Sequence, residues 1–326
     1  MADQTEVYGN LLRQFSGKQV LVIGDLMLDT YLHCGALGVA NEAPVPLLEA
    51  LRQEDVPGGA ANVACNLAAL GVATELIGVI GQDQAAESLC SRIKASGVVL
   101  HELVTERPTT HKTRILSEGH YYLRVDDEGS STLSESEWEG LVQIIEERSR
   151  QHEVVVISDY AKGVVQAKLS PVLARSCPKN STILADLKPS SVLSWKGPLD
   201  VLTPNAKEAQ QLFSGLKGGS LPPPQGLAQT LSQKLNCCVV LTQGSEGMTV
   251  ASSAGALWNY PAVSQGAWNT SGAGDTVLAV LAAATACGAP IEQAARLANL
   301  AAGLAVSTPH THAVSANELA GALVQL

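Results

Sequence analysis

The sequence predicts an α/β fold, in which a mostly parallel central sheet has helices on both faces and a small β lid at its edge. Short apolar segments rich in β-branched residues alternate with helical segments along most of the chain, as in parallel sheets buried on both faces. Residues 31–56 and 109–126 are rich in strand formers but lack a helical period, so we interpret them as lid strands. No repeat or long linker interrupts residues 1–326, which predicts a single domain.

Each strand of the central sheet is expected to be a short apolar run. These runs are residues 19–24, 74–80, 98–103, 154–158, 182–186, 201–203 and 238–242. Helices are expected at residues 60–70, 84–95, 135–150 and 277–287, and residues 215–226, which contain consecutive prolines, are expected to be a surface loop. Ligands of such sheets bind beyond the carboxyl ends of the strands. Polar residues follow the predicted strands at Asp25, Ser158, Asp159, Asp186 and Asn205.

The composition is typical of a cytoplasmic enzyme. The formal net charge of −10 argues against a nucleic-acid surface, and no apolar run is long enough to span a membrane. The N-terminal residues 1–19 have no signal-like apolar core. The seven cysteines form no C-x-x-C pair, which favours reduced, buried thiols. His310 and His312 are expected to lie in a polar loop and not in a metal site, because further ligands are missing. The sequence also lacks P-loop, dinucleotide-binding and hydrolase-elbow motifs.

The most informative segment is Gly272-Ala273-Gly274-Asp275, which precedes a long apolar run expected to be a buried helix. Backbone N–H groups at the start of a helix attract anions, and glycine lets a phosphate approach closely. A carboxylate at this point could take a proton from an attacking hydroxyl group. An ordinary helix cap would use the same residue types, so this segment alone leaves both interpretations open.

A second glycine cluster, Gly58-Gly59-Ala60-Ala61-Asn62, also precedes an apolar helix. Its glycines permit close approach of a ligand, and Asn62 offers both a donor and an acceptor, although a tight turn would need the same residues. Together, in this order and with this separation, the two clusters resemble the signature pair of the ribokinase (PfkB) family of carbohydrate kinases. The resemblance covers nearly the whole chain. It implies a ribokinase-like fold and a phosphotransferase that uses ATP and Mg²⁺.

The resemblance also implies roles on the sugar side of the site. In an in-line phosphoryl transfer Asp275 is the base, and the N–H groups of Gly272, Ala273 and Gly274 stabilise the moving phosphoryl group. The residues expected to bind the sugar are Asp25, Asp29, Gly58, Gly59, Asn62, Arg114, Arg124, Asp159 and Lys162. Lys162 is the first choice for a phosphate on the sugar, with Arg114 and Arg124 as rivals. The alternative for each of these three residues is that its side chain is exposed to solvent and binds no ligand.

The nucleotide is expected to contact residues that follow later strands or lie near the C-terminal helices. These are Lys188, Asn205, Glu208, Thr242, Gln243, Gly244, Ser271, Asn299 and Gly303. Asn205 and Glu208 match an Asn-x-x-Glu motif that the family links to magnesium and phosphate. Their spacing puts both on one helix face, and oxygen ligands suit Mg²⁺. An ordinary helix start with Asn205 as N-cap predicts the same residues.

Residues 42–46, 158–163 and 186–189 narrow the resemblance to the heptose kinases of lipopolysaccharide precursor synthesis. This implies ATP-dependent phosphorylation of D-glycero-D-manno-heptose 7-phosphate at the anomeric 1-hydroxyl, by a homodimer formed through the lid. Because the chain ends at Leu326, a stand-alone kinase of the ADP-heptose pathway is expected, without the nucleotidyltransferase domain of many relatives. The alternatives are a kinase for another sugar or sugar phosphate, or a nucleotide- or sugar-binding regulatory protein that has lost turnover.

Three positions depart from the family pattern, all expected near the nucleotide or a cation. Asn269 replaces an acidic residue, Gln243 replaces an arginine, and residues 307–312 replace a Gly-Lys-Leu-Gly-like turn. Asparagine lacks the negative charge that helps to hold a monovalent cation. Turnover is therefore expected to depend little on K⁺.

Overall fold

The computed structural model of the chain describes residues 4–129, 132–216, 219–263, 270–308 and 311–325, so Asn269 and His310 lie outside the described residues. The strands, in chain order, are β1 Gln19–Gly24, β2 Leu26–Val39, β3 Pro46–Gly59, β4 Ala73–Ile80, β5 Val99–Val104, β6 Thr110–Ser117, β7 His120–Asp127, β8 Val154–Ser158, β9 Thr182–Asp186, β10 Val201–Leu202, β11 Cys238–Thr242, β12 Met248–Ala251 and β13 Leu257–Tyr260. The α-helices are α1 Gln4–Gln14, α2 Ala60–Ala69, α3 Gln84–Ala95, α4 Glu135–Ser149, α5 Leu169–Ser176, α6 Pro189–Ser194, α7 Ala206–Gly215, α8 Pro224–Leu235, α9 Ala273–Ala286, α10 Ile291–Val306 and α11 Ala316–Ala322.

A nine-stranded sheet with the order β13-β12-β11-β10-β9-β8-β1-β4-β5 forms the centre of the molecule. Its strands run parallel from β11 to β5, which confirms the predicted mostly parallel sheet. β12 and β13 add an antiparallel edge that the sequence analysis missed, because strands of four residues are too short to show a period. In the register of β1, β8 and β9, Gly24 pairs with Ser158 and Ser158 with Asp186, so the ends of these strands lie side by side.

Apolar side chains of the sheet point alternately to two hydrophobic cores. On β1, Val20 and Val22 face the core formed with α1, α2, α3, α9, α10 and α11, whereas Leu21 and Ile23 face the core formed with α4 to α8. Residues 277–284 of α9 are buried on every side, as the continuous apolar run predicted. Among the described helices, none combines the length and the apolar character needed to cross a bilayer.

A second sheet, with the strand order β3-β2-β6-β7, corresponds to the expected lid strands. β2 begins at Leu26, and only Asp25 lies between it and the end of β1, so the lid sheet starts earlier than the predicted residue 31. Asp29 therefore lies on a lid strand. At the other end of the lid, β3 ends with Gly58 and Gly59, directly before α2. The sheet has large exposed apolar side chains at Leu37, Val39, Leu47, Leu51, Tyr121, Tyr122, Leu123 and Val125.

The proline-rich segment differs from its prediction. Residues 215–226 were expected to form a loop, but α8 begins at Pro224. Proline suits the first turn of a helix because its missing N–H would have no partner there. Helix α1 was not anticipated from the sequence. It packs Leu11 and Leu12 into the core next to α11.

Candidate active site

Two cavities meet at the N-terminal turn of α9. The larger has a volume of about 770 Å³, within the range of small-molecule sites, and is lined by Ala273 and Gly274. The smaller, of about 260 Å³, lies between the lid sheet and the same turn, and is lined by Gly272 and Asp275. Tyr160 lines both cavities. The start of α9 therefore separates two adjacent binding spaces.

The Asp275 carboxylate is buried at this junction and holds a hydrogen bond at each oxygen. The Asn62 side-chain amide donates to Oδ2 at 2.7 Å, and the Tyr160 hydroxyl donates to Oδ1 at 2.8 Å. Burial raises the pKa of Asp275 to about 6, although these two hydrogen bonds oppose the shift. A carboxylate with a pKa close to neutral pH is suited to accept a proton.

A buried amide network orients Asn62 toward Asp275. The Asn66 amide donates to the Asn62 Oδ1 at 3.1 Å, while Asn66 Oδ1 accepts from the Thr276 hydroxyl at 3.2 Å. With its oxygen occupied in this way, Asn62 directs its NH₂ group at the carboxylate. Gly272 adopts a left-handed conformation with φ +83°, and a Cβ there would lie 2.8 Å from the Asn62 Nδ2. The two glycine clusters are thus in direct contact.

The smaller cavity is lined by three cations from the lid strands. Lys112 and Arg114 alternate on β6, and Arg124 lies directly opposite Arg114 on β7. Arg114 donates to Asp29 Oδ1 at 2.6 Å, and although burial works against its charge, Asp29 keeps the pKa of Arg114 above its usual value. Arg124 pairs with Asp126 at 2.7 Å, and Lys112 pairs with both Asp126 and Glu128. An anion bound in this cavity would share the three cations with these carboxylates. Lys112 was missed from the sequence, although its i, i+2 spacing from Arg114 is the signal that could have identified it.

Lys162, the first choice for a sugar phosphate, does not line either cavity. Its ammonium group forms an ion pair with Glu128, and Glu128 also pairs with Lys112. These two lysines together lower the pKa of Glu128. The loop that carries Lys162 turns its side chain toward Glu128, so Lys162 does not face the cavity where a sugar phosphate was expected.

Asp25 and Asp159 also lie outside the cavities, and their carboxylates accept hydrogen bonds from backbone N–H groups. Asp25 accepts three N–H groups of the loop 160–164 at 2.8–3.0 Å. Asp159 accepts the N–H groups of Ala161 and Lys188 at 2.8 and 3.0 Å. Both aspartates are buried, and burial raises the pKa of Asp25 above its usual value. They shape the loop and do not face a sugar as expected.

Most residues expected at the nucleotide line the larger cavity. They are Lys188, Asn205, Glu208, Thr242, Gln243, Gly244, Asn299 and Gly303. The Gln243 Oε1 accepts from the Thr249 hydroxyl at 2.8 Å, and the Asn299 amide donates to the Pro261 carbonyl at 2.7 Å. Ser271 lines the smaller cavity instead, since the αL conformation of Gly272 turns the chain between them.

Asn205 and Glu208 form a capping box at the start of α7. The Asn205 side chain accepts from the Glu208 N–H at 3.0 Å, and Glu208 Oε2 accepts from the Asn205 N–H at 3.1 Å. Lys188 donates to the other Glu208 oxygen at 2.8 Å. These contacts show the helix N-cap that the sequence analysis gave as the alternative to a magnesium motif. Within the described ranges, no group of three or more His, Cys, Asp or Glu residues could hold a metal ion.

Asp186 lines the larger cavity, and one oxygen of its carboxylate has no hydrogen-bond partner among the described residues. This oxygen, Oδ1, is buried. Burial and, after it, the negative charge of Glu208 raise the pKa of Asp186 to about 8. A buried carboxylate oxygen is costly without a partner, so this site favours a bound cation.

Tyr160 and Thr311 line the smaller cavity, but neither was expected there. The Lys188 ammonium lies 5.4 Å from the centre of the Tyr160 ring. Thr311, expected near the nucleotide as part of residues 307–312, is instead 3.1 Å from the Tyr31 hydroxyl on β2. Both residues lie in loops, and periodicity says nothing about where a loop side chain points.

The sequence matches the model of the pfkB family of carbohydrate kinases over residues 18–318. It is 38% identical over 315 residues to the bifunctional protein HldE of Pseudomonas putida (strain W619), and 37% identical over 311 residues to that of Pseudomonas fluorescens (strain SBW25). Each alignment covers 95% of this chain and 64% of the relative. The chain thus spans slightly less than two thirds of the length of these relatives.

Three solved structures have the same fold at low sequence identity. Phosphofructokinase-2 from Escherichia coli, in complex with substrates and products, superposes with a TM-score of 0.77 at 20% identity, covering 94% of this chain and 98% of its own. Ribokinase from Arabidopsis thaliana, complexed with ribose and ATP, gives 0.70 at 20% identity with the same coverage. Ribokinase from Thermotoga maritima gives 0.72 at 19% identity, covering 95% and 100%. The predicted ribokinase-like fold is confirmed.

Proposed function

The chain belongs to the pfkB family of carbohydrate kinases, and we propose that its reaction is the transfer of the γ-phosphoryl group of ATP to the 1-hydroxyl of D-glycero-D-manno-heptose 7-phosphate. The choice of substrate is supported by the segments that resemble heptose kinases, residues 42–46, 158–163 and 186–189. A sugar that carries a phosphate also suits the cations of the smaller cavity.

The observation that carries this proposal is the position of Asp275 between the two cavities. The larger cavity has the size of a nucleotide site, and the smaller has polar and cationic walls. A phosphoryl donor in one and a sugar in the other would meet at the start of α9. Asp275 lines the smaller cavity, on the side of the acceptor hydroxyl.

In the proposed step the 1-hydroxyl oxygen attacks the γ-phosphorus while Asp275 takes its proton. The bond between the γ-phosphorus and the β,γ-bridging oxygen breaks, and ADP leaves with that oxygen. The N-terminal turn of α9 presents N–H groups and the positive end of the helix dipole to the phosphoryl group. Among the described residues, the Ala273 N–H makes a long contact of 3.4 Å with the Thr270 carbonyl, which leaves it available to a phosphate.

Mg²⁺ fits the acidic side of the larger cavity. Asp186, with its unpartnered Oδ1, and Glu208 would hold the ion. When bound, Mg²⁺ neutralises negative charge on the ATP phosphates. Asn205 helps indirectly, because its capping box keeps Glu208 in place.

Arg114, Arg124 and Lys112 are proposed to bind the 7-phosphate of the sugar. Planar guanidinium groups can bind phosphate through two hydrogen bonds, which an isolated ammonium group cannot. Asp29, Gly58 and Asn62 also line this cavity and are left to contact the sugar itself. Since Lys162 lines neither cavity while Arg114 and Arg124 line the smaller one, the lid arginines replace Lys162 as the first choice for this phosphate.

We further propose that residues 1–326 act as one kinase domain, whose lid sheet pairs with that of a second copy. The exposed apolar side chains of the lid strands support this homodimer, because a free sheet edge and a broad apolar face both favour association.

A panel assay tests the proposed function. ADP release is measured with heptose 7-phosphate, unphosphorylated heptose, ribose and fructose 6-phosphate as acceptors, with Mg²⁺ and ATP present. Heptose 7-phosphate is expected to give the highest kcat/KM, with the product phosphorylated at C1. Equal kcat/KM for ribose and heptose 7-phosphate would refute the substrate, and no ADP release with any sugar would refute the kinase activity.

A further inference from the structure

The loop that carries Tyr160 is held in an unusual conformation. Ala161 has φ +56°, in the left-handed region that non-glycine residues rarely adopt. The buried carboxylates of Asp25 and Asp159 hold this loop through hydrogen bonds to its backbone, including the Tyr160 N–H at 2.8 Å. A strained loop persists only where its surroundings determine it, and such loops cluster at functional sites.

This loop presents the Tyr160 hydroxyl to Asp275 Oδ1 at 2.8 Å and its ring to the Lys188 ammonium at 5.4 Å. The Tyr160 side chain therefore contacts one residue of each cavity, Asp275 of the smaller and Lys188 of the larger. Burial and, after it, the charge of Asp275 raise the pKa of Tyr160 well above its usual value. The phenol thus stays protonated and acts as a donor to the carboxylate.

We propose that Tyr160 is the positioning residue of the base: its hydroxyl holds the Asp275 carboxylate toward the acceptor, and its ring separates the two cavities beside the point of transfer. The inference rests on the proposed role of Asp275. Asn62 donates to one carboxylate oxygen and Tyr160 to the other, so the plane of the carboxylate is determined at both ends. Without the phenol, Oδ1 loses its only side-chain donor among the described residues and the carboxylate can rotate about χ2.

The phenol also stabilises the ionised form of Asp275. The other charged or titratable groups that face this carboxylate are Asp29 from β2, Lys188 after β9, and Asp186 at the end of β9. Tyr160→Phe leaves all three unchanged and keeps the ring beneath Lys188. It removes only the hydrogen bond.

The test compares Tyr160→Phe with the wild type in full pH profiles of kcat and kcat/KM. We expect kcat to fall about tenfold, the KM values for ATP and sugar to change less than about threefold, and the acid limb to move about 1 pH unit higher, as expected for loss of a hydrogen bond to a charged group. The control is Tyr260→Phe, whose hydroxyl donates to the Glu292 carbonyl at 2.9 Å and lies outside both cavities. It should leave kcat and the acid limb unchanged.

A folded Tyr160→Phe variant with wild-type kcat and an unmoved acid limb would overturn the proposal. A second measurement does not need turnover: carbon-13 NMR of aspartate-labelled protein titrates the Asp275 carboxyl, whose signal is assigned as the one lost in Asp275→Asn. A higher pKa of Asp275 in Tyr160→Phe supports the positioning role, and an unchanged pKa rejects it. Failure of the kinase proposal is recognised separately, because wild-type protein would then phosphorylate no sugar.

Discussion

Replacing Asp275 by asparagine removes the proposed base with little change in shape. The asparagine carbonyl oxygen can accept the hydrogen bond that the Asn62 amide now donates at 2.7 Å. The new NH₂ group then faces the Tyr160 hydroxyl, which can rotate to accept instead of donate. Both partners remain satisfied, so we expect the variant to fold and to keep both cavities.

The size of the effect follows from the chemistry that is lost. With a pKa of about 6, Asp275 is ionised in roughly nine molecules of ten near neutral pH, so the base is present in the wild type. General-base catalysis contributes about 10²- to 10⁴-fold, or about 3 to 5 kcal/mol of barrier. Asp275→Asn should therefore lower kcat by at least about 10²-fold.

The assay measures ADP release under saturating ATP and sugar, together with ATP binding by calorimetry. ATP affinity should stay within about threefold of wild type, because Asp275 lines the smaller cavity and not the larger one. In the wild type, kcat/KM should decline as the pH falls through about 6, since protonation then blocks the base. That acid limb should disappear from the residual activity of the variant. Near-normal turnover in Asp275→Asn would refute the assignment.

Four further predictions concern other parts of the molecule. Arg124→Gln should raise KM for a phosphorylated sugar about tenfold or more while the KM for ATP stays constant; equal changes in both would contradict a role in sugar-phosphate binding. Gly272→Ala should lower the free energy of unfolding by about 2 kcal/mol, because alanine is strained at φ +83° and its Cβ would displace the Asn62 amide, and a wild-type urea midpoint would show the reasoning wrong. Leu123→Glu, on the exposed face of the lid sheet, should convert a homodimer at micromolar concentration to monomer in light scattering, whereas a wild-type monomer would reject the lid interface. Turnover at fixed ionic strength should differ little between K⁺, Na⁺ and Tris buffers because of Asn269, and stimulation by K⁺ of about tenfold or more would refute this.

The motifs pointed to Asp275 and Asn62 as candidate site residues because both glycine clusters are local patterns. A Cβ at Gly58, Gly59 or Gly272 would lie 2.7, 2.5 or 2.8 Å from a neighbouring atom, so the need for glycine at these positions is visible in the sequence. The hydrogen bond between Asn62 and Asp275 was not predicted, because it joins residues from distant parts of the chain. The main sheet was predictable, since apolar strands buried on both faces leave continuous runs in the sequence.

The residues that the sequence analysis misplaced all depend on loop conformation. Asp25 looked like a sugar ligand because it follows a strand, but three backbone N–H groups of loop 160–164 occupy its oxygens. The same loop turns Lys162 toward Glu128 and presents Tyr160 to Asp275. No periodicity encodes these directions.

The sequence by itself determined the parallel sheet, the buried helix α9 and the glycine clusters at the site, because each depends on residues that are neighbours along the chain. The tertiary structure alone decided which side chains face the cavities. Lys112 joins the lid cations and Asp186 remains with a vacant oxygen, while Asp159 is taken up by the backbone. The physical reason is that the partners of a polar group come from distant parts of the chain, so only the folded structure decides whether its side chain faces a cavity or is used by the backbone.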